Sequence, residues 1–321
     1  MFSPFANMPR RQKQAGTAII MAMLTVALVA GIAARILADY GHAVDQLAGR
    51  HDQAQARWLA RGAIDWARNV LESDFNRGGG NRVDHLREEW AIKVPPTPFE
   101  EGELSGELEE LSGRFNVNSL IIDGKLDEEQ LKRFNRLLQA AGIAQMQAEQ
   151  LSAALIDWID QDDEPYGQKS GSESLSYRQQ ADARVPTQGF LLDPDELKFI
   201  RGYTPQILQL IKAHVTALPA TASWVNVNTA TAPVLQAYVE DLTAAQANAL
   251  IVDRDRSFFT SVENFKQRLP PTSKPAENKL MVSSRHWYAN GRARWGEAVT
   301  KMQVLLDRAS ARPDILWVKI Q

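Results

Sequence analysis

Residues 15–34 read AGTAIIMAMLTVALVAGIAA, a run without one charged side chain. Arg10, Arg11 and Lys13 stand just before it, and Ile36 and Leu37 extend it past Arg35. A helix rises ~1.5 Å per residue, so the 18 residues from Thr17 to Ala34 just span a ~30 Å hydrocarbon layer. The basic flank is expected to stay in the cytoplasm and send the rest of the chain outward. The order of parts is wrong for ordinary secretion. A secretory signal puts its small-residue cleavage site after the apolar run, whereas Gly16 lies between the basic leader and the run.

That arrangement, KQAGTAII, resembles a type IV prepilin leader, which is cut on the cytoplasmic side after the glycine. Glycine offers an extended residue without a side chain at the scissile bond. The expected cut lies between Gly16 and Thr17 and leaves the apolar helix in the bilayer. A plain N-terminal anchor with a chance glycine fits the same short pattern. Most pilin-like subunits carry a glutamate at the fifth residue of the mature chain, and here that place is Met21. A buried carboxylate is tolerable in hydrocarbon only beside a partner. A subunit without it suits a position with no predecessor to neutralise, as at a filament tip.

Beyond the run, residues 43–74 contain no proline and only Gly49 and Gly62. Leu59, Ala63, Trp66 and Val70 recur at helical spacing, which predicts a continuous helix with one apolar face. Gly78–Gly80 end it. The net charge of −3 on 321 residues shows no strong bias toward nucleic acid or anionic lipid. Cysteine is absent, which excludes disulfides and thiolate metal sites. The five histidines have no ligand spacing, and no nucleophile elbow, P-loop or dinucleotide fingerprint is present. The chain does not read as an enzyme.

The alternation in Gly102–Phe115 predicts antiparallel strands, with the glutamates between Phe99 and Leu111 as a solvated face. Asn290-Gly291 predicts a hairpin turn, and Val299–Leu306 and Ile315–Ile320 read as strands. Between these regions a motif occurs twice, as Phe115-Asn-Val-Asn118 and Val225-Asn-Val-Asn228. Each copy precedes a helical segment, and aliphatic helix ends follow at LIDWIDQDD and LIVDRDRSF. This is an imperfect duplication of a helical module. Its asparagines, Asn116, Asn118, Asn226 and Asn228, are expected to cap the next helix. The second copy also resembles helix-hairpin-helix DNA-binding modules. However, Val239-Glu-Asp-Leu242 puts two acids where backbone amides would meet phosphate, which argues against nucleic acid.

Asp160, Asp162, Asp163, Glu164 and Glu173 fall within a glycine- and serine-rich stretch. Hard oxygen ligands on a loop suit Ca²⁺, and a solvated acidic loop fits the spacing equally. Pro165 and Gly171 stand where an EF-hand needs glycine and glutamate. Asp193-Pro-Asp-Glu196 has the order of a capping box.

Taken together, AGTAII without the acid, GRFNVNSL, ALIDWIDQDDEP with the later Glu173, LLDPDELKFIRGYTPQIL and VNVNTATAPVL resemble the K-type minor pseudopilins of type II secretion systems (general secretion pathway protein K). The family usually has Gly-Ala-Glu where this chain has Gly171-Ser172-Glu173. The resemblance implies an α+β, pilin-like fold: a transmembrane spine helix packed on an antiparallel sheet, with a large α-helical domain inserted into the sheet domain. The corresponding division is a leader at 1–16, a membrane segment at 17–37, a pilin-like domain at 38–122 and 281–321, and a helical domain at 123–280. It further implies a bacterial inner-membrane protein with its bulk in the periplasm, processed by prepilin peptidase. I- and J-type minor pseudopilins and the other pseudopilins of the filament are its expected partners, and calcium its expected ion. A minor pilin of a type IV pilus and a membrane-anchored DNA-binding receptor are the competing readings.

Overall fold

The computed structural model describes residues 13–79, 82–160, 166 and 189–321. Helix α1 runs from Lys13 to Arg77, and its apolar first part is fully exposed, with Met21 at 68 % and Leu24 at 62 %. That part is long and apolar enough to cross a membrane. From Ala56 onward one face is buried, formed by Ala56, Ala60, Ala63, Ile64, Ala67 and Leu71. The expected stripe is therefore rotated. Ala63 is central, but Leu59 and Val70 sit on its flank and Trp66 is 53 % exposed. Alanines take the central line because they let the helix backbone approach the sheet closely.

The chain then forms strands β1 (Val94–Phe99) and β2 (Gly102–Glu110). Eight two-residue bridges follow: β3 (Phe115–Asn116), β4 (Ile121–Ile122), β5 (Lys125–Leu126), β6 (Val215–Thr216), β7 (Val225–Asn226), β8 (Val239–Glu240), β9 (Lys274–Pro275) and β10 (Leu280–Met281). Strands β11 (His286–Trp295), β12 (Ala298–Asp307) and β13 (Asp314–Ile320) come last. The main sheet has the order β1-β2-β11-β12-β13, antiparallel throughout. Helix α1 lies over β2, β11 and β12. Trp287, Ala289, Ala293, Met302, Val304 and Leu306 meet it there as one core.

The expected turn at Asn290-Gly291 is not one. β11 continues through both residues, and Gly291 pairs with Gly106 on one side and Met302 on the other. The hairpin turns instead at Gly296-Glu297, between the paired Trp295 and Ala298, with Gly296 at φ +52°. Gly291 serves close approach. A Cβ there would lie 3.3 Å from Ala63 Cβ and 3.6 Å from Ala60 O.

A helical block occupies the chain between β2 and β11. Helices α2 (Glu128–Ala140) and α3 (Gln145–Ile159) share a core with helices Pro205–Ile211, Ala232–Tyr238, Ala244–Arg256 and Val262–Gln267. Phe115, Phe134, Leu138, Tyr238, Phe259 and Phe265 form its aromatic and aliphatic centre. The architecture is the α+β, pilin-like one: a long helix on an antiparallel sheet, with a helical block inserted between two adjacent strands of that sheet.

Replacing Gly291 by valine forces α1 away from β11. Overpacking of this kind costs about 1–3 kcal/mol, so chemical denaturation of Gly291→Val is expected to show a lower midpoint with an unchanged slope. An unaltered midpoint would show that the glycine does not set the helix–sheet distance.

Candidate functional site

The two asparagine motifs build matching geometry. In the first, Asn116 Oδ1 accepts from Asn118 N at 3.2 Å and Leu218 N at 2.9 Å, while Asn116 Nδ2 donates to Pro219 O and Ala222 O. Asn118 then brackets a distant residue, accepting from Leu191 N at 2.9 Å and donating to Leu191 O at 2.8 Å. In the second, Asn226 Oδ1 accepts from Asn228 N at 2.9 Å. Asn228 brackets Phe259, accepting from its N–H at 2.8 Å and donating to its carbonyl at 2.9 Å. The strands match as well. Phe115 and Asn116 pair in parallel with Val215 and Thr216, and Val225 and Asn226 with Leu280 and Met281.

These asparagines do not cap the following α-helices, as the spacing had suggested. Asn116 caps a 3-10 turn, and α2 is capped by Asp127, which accepts from Glu129 N and Gln130 N. All four asparagines are buried, so each amide is worth most where it satisfies remote backbone groups that have no water. The capping box at Asp193 and Glu196 is present, on a 3-10 helix. Asp193 also pairs with Lys319 at 2.9 Å.

The seam between sheet and helical block is polar and buried. Glu110, expected on a solvated face, is 8 % exposed and accepts from Ser112 N and Gly113 N. The reason is its place at the end of β2, where the chain enters the block. Gly113 crosses the second motif so closely that a Cβ would overlap Thr229 Oγ1 and lie 2.7 Å from the Thr229 carbonyl carbon. Asn226 N donates to Ser112 O, and Asn226 Nδ2 to Asp84 O and Ser284 Oγ. Arg308 closes the seam through ion pairs with Asp74, at 2.7 Å, and with Asp84. Its guanidinium stacks 4.3 Å from the Trp287 ring. Sequence reading missed Arg308, Asp84 and Arg254, which donates to Val227 O and Ala230 O. A lone basic residue carries no signal of burial.

Gly16 and Thr17 lie inside α1 near its start, and Thr17 is exposed. Of the five carboxylates expected to hold calcium, Asp160 follows α3 as its C-cap residue, half-buried, with its N–H bonded to Ile156 O. Asp162, Asp163, Glu164 and Glu173 lie outside the described residues. Asp157, fully buried in α3, accepts from Tyr166 N at 2.7 Å. Among the described residues, one carboxylate group has the spacing of a metal site, Asp74, Asp84 and Glu88, within 4.8 Å of one another. There the Arg308 cation already compensates the first two.

Glu88 accepts from His85 N and Trp90 Nε1. Burial outweighs these bonds, and with Asp74 and Asp84 nearby the carboxyl is pushed up to about 7. A carboxyl raised in the folded state holds more protons folded than unfolded. Its contribution to stability is complete below its ordinary 4.5 and is lost as the pH rises through about 7. His286, driven down to about 4 by burial, works in the opposite sense, losing its contribution as the pH falls from 6.5 toward 4. Subtracting the denaturation curves of the parent and Glu88→Gln isolates the first effect. The variant is expected to gain relative stability as pH increases from 5 to 8 (roughly the titration range); a constant difference would place Glu88 in water.

Comparison with known proteins matches this geometry. The family model described as "Type II secretion system (T2SS), protein K" matches residues 113–220 and, in a second part, 225–283. These ranges contain the two modules, β3–β6 and β7–β10. Type II secretion system protein K of Pseudomonas aeruginosa is 33 % identical over 282 residues, covering 86 % of this chain and 84 % of the relative. The Pectobacterium carotovorum protein K is 29 % identical over 291 residues, 87 % of each chain. The fold is similar to a chain in the crystal structure of the GspK–GspI–GspJ complex from enterotoxigenic Escherichia coli, with a TM-score of 0.73 at 20 % identity over 86 % of this chain and 99 % of that one. With both modules and most of its length matched, the chain belongs to the type II secretion system protein K family of minor pseudopilins.

Proposed function

We propose that the chain occupies the tip of the periplasmic pseudopilus, starting its assembly and capping it in complex with I- and J-type minor pseudopilins. The role is structural, without catalysis. The observation that carries this reading is the helical block inserted between β2 and β11 of a pilin-like sheet. Subunits of a filament built on packed spine helices rise by far less than the width of such a block, so a copy at every position collides with its neighbours. A single copy at the end does not. Met21, exposed on α1, supports the same placement, because a first subunit has no predecessor whose N-terminal ammonium needs a carboxylate. The similar solved chain comes from a complex with I- and J-type proteins, which supports those partners here. Gold labelling of a tagged chain is expected to mark filament ends. Label repeated along the shaft would overturn the assignment.

The same reading makes residues 1–16 a leader, 17–37 the membrane segment, 38–122 with 281–321 the pilin-like domain, and 123–280 the helical domain. Phe115, Val117, Leu120 and Ile121 pack in the core of the helical domain, which moves its boundary toward the end of β2. Prepilin peptidase then cuts between Gly16 and Thr17. Mass spectrometry of membrane-extracted protein is expected to find Thr17 first, and an intact Met1 in cells with active peptidase would refute the cut.

Asp160, Asp162, Asp163, Glu164 and Glu173 supply the hard oxygens that Ca²⁺ takes, and we propose them as its ligands. Bound calcium would neutralise carboxylates that otherwise repel one another. At a hundredfold excess over Kd it adds about 2.7 kcal/mol to stability. Thermal melts in millimolar calcium are therefore expected to exceed those in chelator, and Asp162→Asn with Glu173→Gln to remove the difference. Identical melts for the parent chain would reject the site.

A further inference from the structure

The two edges of the main sheet differ in chemistry. β1 reads Val94-Pro-Pro-Thr-Pro-Phe99. Three prolines without N–H groups, and a register shift between Val94 and Thr97, close that edge to another strand. β13, the opposite edge, contains no proline or glycine. Its register shift falls opposite Leu305 and Leu306, so Trp317–Gln321 runs regularly.

Lys301 N donates to Gln321 O at 2.9 Å and Gln321 N to Lys301 O at 2.8 Å. The alternation of an antiparallel ladder then turns the backbone groups of Lys319 and Trp317 toward β12, and those of Val318 and Ile320 toward the open side. The same two residues present apolar side chains. They pair with Val304 and Met302, which are buried beneath α1, yet Val318 is 50 % and Ile320 48 % exposed. On the other face of the sheet, Lys319, Lys301, Arg292, Glu107 and Asp195 line a polar cleft of about 470 Å³, with Lys319 held by Asp193.

Helix α1 covers one face of this sheet. Leu218 and Ala222 of the helical block pack on the other, against Tyr288 and Leu305. A strand can be added to this sheet only at an edge, and the β1 edge is shut. We infer that β13 accepts an extended strand from the adjacent minor pseudopilin, an inference that rests on the tip reading above. The incoming segment is apolar–acidic–apolar. Its apolar residues lie beside Val318 and Ile320 and continue the core under α1, and its carboxylate faces the exposed Lys301, next to the Lys319–Asp193 pair. A second copy of this chain fits poorly, because on that face its regular stretch offers Trp317, Lys319 and Gln321 and no acidic side chain.

The chain has no cysteine, so Ile320→Cys supplies a unique thiol for benzophenone maleimide. The full chain, co-expressed and purified with I- and J-type pseudopilins, is labelled and irradiated, and the cross-linked peptide is sequenced. A cross-link to an extended segment of one partner is expected, with none from Thr97→Cys on β1. Val318→Pro removes an outward N–H while sparing the β12 ladder, and is expected to reduce cross-linking about tenfold. Circular dichroism checks that this variant folds, and Lys301→Glu, at an exposed side chain of β12, is expected to weaken the cross-link too. Co-purification without a cross-link from Ile320, or a cross-link to a second copy, would overturn the edge proposal and leave the tip reading intact. Failure of the three proteins to co-purify would overturn both.

Discussion

The guanidinium of Arg308 is wholly withdrawn from water, and the placement of three chain segments depends on it. It holds Asp74 in the last turns of α1, Asp84 in the segment that follows, and the Trp287 ring of β11. Removing one partner from such a group leaves an uncompensated buried charge, a loss of about 3–5 kcal/mol. The end of the spine helix, the entry to β1 and the end of β12 are thus fixed as one unit. Asp84 extends that unit, accepting from Ser284 N and donating its own N–H to Val282 O. Through Asn226 the unit reaches the helical block.

Within the block, the asparagine motifs solve one problem twice. A chain that turns from a short strand into helices leaves buried amides and carbonyls behind. Each motif answers them with one asparagine that folds its own turn and another that brackets a remote residue, Leu191 or Phe259. Each module closes when a later segment pairs in parallel with its opening strand. The family model breaks between residues 220 and 225, where one module has closed and the next begins.

Features written in periodicity were legible in the sequence. The spine helix, the strands at 298–307 and 314–320, the module duplication and the capping box all follow from local spacing. Features set by what lies opposite were not. Asn290-Gly291 has the letters of a turn, but the glycine answers Ala63 and Ala60 of a helix far away in the chain. Trp66 sits at a helical interval from Ala63 and still faces out, because alanines claim the line of closest approach. Glu110 belongs to a run of acids, yet its fate depends on the amides of Ser112 and Gly113 at the entrance to the block. Of the proposed cation site, Asp160 alone falls among the described residues. Its reading rests on donor chemistry and resemblance.

Placing a whole helical block between β2 and β11 also orders events in time. Glu110 and Trp287 are paired neighbours in the sheet, although nearly all of the block separates them along the chain. Closing so long a loop in an unfolded chain is slow, since its entropy is lost before any strand pairing rewards it. Modules that close through β3–β6 and β7–β10 shorten that loop. Pairing of β2 with β11 is therefore expected to follow them, and with it the covering of the alanine line of α1.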